Sequence, residues 1–100
     1  MTKYVIKLTD PQYSHYSYCI KDCIPAFGEN EFFSEDCCFD TEQEAKEHIK
    51  TMLNSGWYRP DITKDNFEVV EVNKYKGLAF GLFYYTQRGY EQFKEYDNEN

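Results

Sequence analysis

The sequence predicts a small α+β domain in which a mostly antiparallel sheet packs against one main amphipathic helix. Alternating apolar and polar residues at 3–8 and 67–72 predict strands, and a helical pattern at 41–54 lies between them. A chain of 100 residues can bury one hydrophobic core but not two. We therefore expect residues 1–100 to form a single domain, with residues 97–100 as a frayed tail.

The first strand is predicted at residues 3–8, KYVIKL, where side chains alternate as they do in a half-buried strand. Asp10 and Pro11 end it, because proline removes a backbone donor and aspartate favours turns. Residues 13–20, YSHYSYCI, alternate again and predict a second strand. Residues 31–33 predict a short third strand.

The main helix is predicted over residues 41–54. Thr41 and Glu44 have the spacing of a capping box, with Asp40 as an alternative cap one residue earlier. Gly56 then ends the helix, as glycine commonly does. The apolar stripe on one face of this helix consists of Ala45, Ile49, Met52 and Leu53.

The C-terminal part of the chain predicts two further strands and a second helix. Residues 67–72, FEVVEV, predict a strand that pairs beside the first one. The apolar run LAFGLFYY at 78–85 predicts a buried strand. Tyr90, Phe93 and Tyr96 then favour a short closing helix.

Negative charge is concentrated in one segment of a chain whose net charge is −7. Residues 29–47 contain eight acidic residues against one base, interleaved with phenylalanines, a combination typical of protein interfaces. This charge argues against direct binding to nucleic acid or anionic lipid and favours a Lys- and Arg-rich protein partner. The alternative is a solvated surface in which Glu42 and Glu44 only complement the helix dipole. The predicted partner-binding residues are Glu29, Glu31, Glu35 and Asp36.

The cysteines predict a structural zinc site that staples the loop-rich region 13–40. Zinc matches soft thiolate ligands, and His15 could replace one sulfur. Four buried free thiols are the alternative, and disulfides are less expected in a reducing compartment. The predicted ligands of one zinc ion per chain are Cys19, Cys23, Cys37 and Cys38.

Known enzyme signatures are absent from the sequence, which contains no phosphate loop, GxGxxG, HExxH or GxSxG motif. We therefore expect a protein without catalytic activity. Two alternatives stay open. One is a thiol-dependent redox enzyme that uses Cys37 and Cys38, and the other is a Cys–His dyad of Cys19 or Cys38 with His15 or His48.

The sequence also predicts where the protein works. No run approaches the ~20 apolar residues of a membrane-spanning helix. The N-terminus, MTKYVIKLTD, becomes polar too early for the apolar region of a signal peptide. We expect a monomer in the bacterial cytosol.

The layout of YVIKL, FDTEQEAKEHIK and FEVVEV across residues 3–72 resembles small accessory proteins of phages and prophages of Gram-positive bacteria. With its acidic composition and four cysteines, the chain is similar to phage anti-CRISPR proteins directed against type II systems, a group with one zinc-containing member. The resemblance implies stoichiometric binding to the host RNA-guided nuclease, which blocks the loading or cleavage of target DNA. The alternative is an accessory protein that binds another host defence or regulatory protein.

Overall fold

A computed structural model describes residues 2–9, 17–19, 31–56 and 58–98 of the chain. These residues form an α+β fold in which an antiparallel sheet has the strand order β2-β1-β4-β5-β3. The strands are β1 (Thr2–Leu8), β2 (Ser17–Cys19), β3 (Phe32–Ser34), β4 (Phe67–Asn73) and β5 (Phe83–Tyr85). The two α-helices of the described part are α1 (Glu42–Asn54) and α2 (Gln87–Asn98).

The centre of the sheet is the antiparallel pair of β1 and β4, which confirms the strands predicted at 3–8 and 67–72. Their register runs from the pair Thr2 and Asn73 to the pair Leu8 and Phe67. The predicted helix is also confirmed, and Thr41 is its cap because its side-chain oxygen accepts a hydrogen bond from the backbone N–H of Glu44.

Helix α1 covers one face of this central pair and forms the first core cluster. Its apolar stripe carries Ala45, Ile49 and Met52, which are all buried. The stripe packs against alternate residues of β1, because side chains two apart in a strand point to the same face. The buried residues of this cluster are Ile6, Leu8, Phe39, Ala45, Ile49, Met52, Ile62 and Phe67.

A second core cluster lies on the opposite face of β1 and β4. Val5 of β1 and Val72 of β4 are fully buried there, although α1 covers the other face. The sheet curls, so that Phe33 of β3 and Tyr84 of β5 pack on these valines. The described residues therefore hold two core clusters separated by one sheet, whereas the sequence predicted a single core.

The strand predicted at 78–85 is shorter than expected. Leu78–Gly81 form a 3-10 turn instead, and only Phe83–Tyr85 belong to the sheet. Gly81 has a φ of +73°, a left-handed conformation that interrupts an extended strand. The predicted closing helix is α2, which continues to Asn98. Of the strand predicted at 13–20, only Ser17–Cys19 lie within the described residues.

Aromatic rings attach α2 to β3, to β5 and to the segment that follows β4. The ring of Phe93 lies edge-on to that of Phe32, with centroids 5.7 Å apart, and Tyr90 stacks on Tyr75 at 4.0 Å.

Within the described ranges, neither helix has the length and apolar character needed to cross a lipid bilayer.

Candidate functional site

The acidic segment predicted from the sequence forms an exposed surface that runs from the 3-10 turn at Glu35–Cys37 into the first turns of α1. We call this set of side chains the acidic surface. Each of its members is exposed. They are Glu35, Asp36, Asp40, Glu42, Glu44 and Glu47.

The acidic surface is anchored to the sheet by the residues between its carboxylates. Phe39 forms two backbone hydrogen bonds with Tyr4 of β1, with N–O distances of 2.9 and 2.8 Å. The side chains of Cys38 and Phe39 are buried in the second and first core clusters respectively. Backbone pairing and burial on both faces of the sheet therefore fix the chain that carries the carboxylates.

Two cations lie against the acidic surface. The ammonium group of Lys3 is 2.5 Å from a carboxylate oxygen of Asp40 and 3.7 Å from one of Glu35. The hydrogen bond to Asp40 raises the pKa of Lys3. Lys46 lies 3.3 Å from Glu42, one helical turn away. Within the described part of the chain, the acidic surface therefore holds six carboxylates and pairs with two ammonium groups, which leaves a negative balance.

Glu31 does not belong to the exposed surface on which the sequence predicted it. Its side chain is buried, at 5% exposure, and accepts a hydrogen bond from the hydroxyl of Thr86. The backbone N–H of Thr86 donates to the Glu31 carbonyl, and the Thr86 hydroxyl accepts from the N–H of Gly89 in the first turn of α2. Glu31 therefore links β3 to the start of α2, where a negative charge complements the helix dipole.

The other predicted partner-binding residues have different outcomes. Glu35 and Asp36 are exposed, as expected, whereas Glu29 lies outside the described residues. The role of Glu31 was missed because Thr86 is 55 residues away in the sequence. A Thr before a helical segment does indicate a cap, but no spacing rule connects that cap to a distant glutamate.

The cysteine pair Cys37 and Cys38 occupies two different environments. Cys38 is buried in the second core cluster, and its thiol donates to the carbonyl oxygen of Ser34. This burial raises the pKa of Cys38 to about 12. Cys37 is only half-buried, with its sulfur 3.2 Å from the Ser34 hydroxyl oxygen. Of these two thiols, Cys37 is therefore the more accessible.

The predicted zinc site stays a prediction, because Cys23 and His15 lie outside the described residues. Cys19 of β2 pairs with Ile6 of β1. Phe39 pairs with Tyr4 along the same edge of β1. Two residues of a strand span about 7 Å, so the backbone positions of Cys19 and Phe39 are near neighbours. Among the described side chains, no three potential ligands come together.

The alternative dyad of Cys38 with His48 is not favoured by the structure. His48 lies on α1, and its ring packs on Phe39 at a centroid distance of 5.1 Å, on the helix-covered face of the sheet. Cys38 lies in the cluster on the opposite face. The sheet therefore separates the two side chains that the dyad would need in contact.

Comparisons with known proteins give no further identification, since no family model, curated protein or solved structure matches this chain. The function is therefore inferred from the chemistry of the chain's own surfaces.

Proposed function

We propose that this chain is a non-catalytic inhibitor that binds a host RNA-guided DNA nuclease in the bacterial cytosol and blocks target DNA loading or cleavage. The observation that supports the proposal is the acidic surface, with six exposed carboxylates on an anchored stretch of chain. The identity of the partner rests on the resemblance to phage anti-CRISPR proteins.

The chemistry of the acidic surface suits a partner that normally holds DNA. Lys and Arg side chains that bind phosphate also bind carboxylates with charge-assisted hydrogen bonds. Opposite charge on the two proteins accelerates their encounter and disfavours uncharged partners. Because Phe39 fixes this chain on β1, little backbone conformational entropy is lost when the carboxylates bind.

The proposal is tested by reversing two carboxylates that make no ion pair within the described part of the chain, Asp36 and Glu44. The double variant Asp36→Lys/Glu44→Lys changes the net charge from −7 to −3. We expect its affinity for the guide-loaded nuclease to fall roughly tenfold or more, because two attractions become repulsions. Binding is measured by surface plasmon resonance at two salt concentrations.

A matched control carries the same change of net charge elsewhere. Glu68 of β4 and Glu91 of α2 are exposed and lie outside the acidic surface. The variant Glu68→Lys/Glu91→Lys should bind within about twofold of the wild type, since distant exposed charges are screened by salt. Equal losses in both variants, or unchanged binding in the first, would remove the acidic surface from the proposal.

A further inference from the structure

Two neighbouring hollows form a groove between α1 and the chain that leads into β4. The first has a volume of about 380 Å³ and includes Ile49, Phe67 and Val69 in its lining. The second has a volume of about 500 Å³ and includes Leu53 and Ile62. Both volumes lie within the roughly 300–1,000 Å³ that is typical of ligand clefts.

Basic side chains outnumber acidic ones in the lining of this groove, although the protein is acidic as a whole. Lys50 and Lys64 line both hollows, and neither makes an ion pair within the part of the chain that the structure describes. Lys46 lines the first hollow and Arg59 the second. Lys50 and Lys64 are therefore shared by the two hollows, and each hollow also has apolar side chains in its lining.

We propose that this groove binds an acidic linear segment of a partner protein. An acidic side chain lies between Lys50 and Lys64, and one apolar side chain enters each hollow. The basis is charge complementarity combined with two apolar hollows on either side of one cationic pair. Glu42 belongs to both the groove and the acidic surface, and its ion-pair partner Lys46 also lines the groove, but Lys50 and Lys64 lie outside the acidic surface. The proposal does not depend on the function proposed above.

The chemistry of the groove favours a short acidic segment over nucleic acid. The net charge of −7 repels a long polyanion, and Glu42 and Asp65 also line the first hollow. A short segment can place its carboxylates at the lysine pair and only an apolar residue in the first hollow, where the two acids lie. Base stacking would require freely exposed aromatic rings, whereas Phe67 is buried in the core and the half-buried Tyr58 packs edge-on against it.

The test uses three fluorescein-labelled peptides and fluorescence polarisation. The peptide GEFDEDLEG carries acids and two apolar anchors, GKFKKKLKG exchanges the acids for lysines, and GESDEDSEG exchanges the anchors for serines. We expect binding of the first peptide only, weakened by added salt because exposed charges are screened. Lys50→Glu/Lys64→Glu should lower its affinity roughly tenfold or more.

The control variant Lys76→Glu/Arg88→Glu has the same net charge and changes two exposed residues away from the groove. It should bind the acidic peptide within about twofold of the wild type. Three results of the binding assay would overturn the proposal: no binding of GEFDEDLEG, equal binding of GESDEDSEG, or equal losses in both variants. Sedimentation showing a dimer that Lys50→Glu/Lys64→Glu dissociates would also overturn it, because a second copy would then fill the groove.

Discussion

Replacing Glu31 with alanine should destabilise the fold strongly, although the sequence presents this residue as one of many surface acids. The Glu31 carboxylate is buried and accepts the hydrogen bond of the Thr86 hydroxyl, which caps α2. The Glu31→Ala variant therefore removes a charged acceptor, and the buried Thr86 hydroxyl loses the carboxylate to which it donates. The helix that loses this anchor packs on β3 and β5 through aromatic rings.

The magnitude follows from the two losses at this site. A hydrogen bond to a charged group contributes about 1.5–3 kcal/mol to the free energy of unfolding, and a buried partner left unsatisfied costs about 1–3 kcal/mol. The two energies partly describe the same loss, so they do not add in full. We expect the free energy of unfolding of Glu31→Ala to fall by ~2–4 kcal/mol. For a domain of this size that corresponds to a melting temperature lower by roughly 10–20 °C.

The assay is urea unfolding followed by circular dichroism, with Asp36→Ala as the control at an exposed acid. That control should lie within about 0.5 kcal/mol of the wild type. A double-mutant cycle with Thr86→Val should give a coupling energy above about 1 kcal/mol, since the two side chains are in contact. A Glu31→Ala protein as stable as the control, with no coupling to Thr86, would refute this account of the residue.

Three further predictions concern the packing of α2, the buried thiol and the metal. Gly89→Ala should lower the melting temperature, because the added Cβ would lie 2.5 Å from the Glu31 carbonyl oxygen. This clash outweighs the ~1 kcal/mol by which alanine favours a helix over glycine. A melting temperature higher than that of a Gln92→Ala control would contradict this prediction. In metal-free protein, stability should fall as the pH rises above 9, because the pKa of Cys38 is raised from 9.0 to about 12 and the unfolded thiol ionises first. The loss is roughly 1 kcal/mol at pH 10, and Cys38→Ala should flatten this part of the pH dependence. Lys3 adds a loss of the same sign above pH 10.5, since its pKa is also raised in the folded protein. Elemental analysis of protein purified without chelator should find about one zinc per chain, as the cysteines predict, and metal-free protein with four titratable thiols would contradict that prediction. Zinc bound by Cys38 would also remove its alkaline transition, because a zinc ligand is already a thiolate.

The elements that the sequence predicted correctly are those whose signals are local. The capping residue Thr41 and the apolar stripe of α1 lie within four turns of one helix. The alternation in β1 and β4 likewise needs only neighbouring residues, because a half-buried strand repeats every second residue. The helix and the two strands could therefore be predicted, because the repeat of apolar residues that identifies each of them lies within a short stretch of sequence.

The elements that were missed depend on contacts between distant parts of the chain. The curl of the sheet brings Tyr84 of β5 onto Val5 of β1, and no periodicity in either segment records that contact. The same limit explains Glu31, whose burial depends on Thr86. Charge density predicted an acidic surface, but it could not separate a buried carboxylate from its exposed neighbours.

The most direct test of the proposed function is a titration of this protein into a guide-loaded type II nuclease with target DNA in excess. Binding without turnover predicts that cleavage falls linearly and ends near one protein per nuclease, and that Asp36→Lys/Glu44→Lys shifts the titration to higher protein concentration. Full inhibition by a small fraction of one equivalent would show turnover and contradict the account. Cleavage that continues at many equivalents of the wild-type protein would exclude this nuclease as the partner.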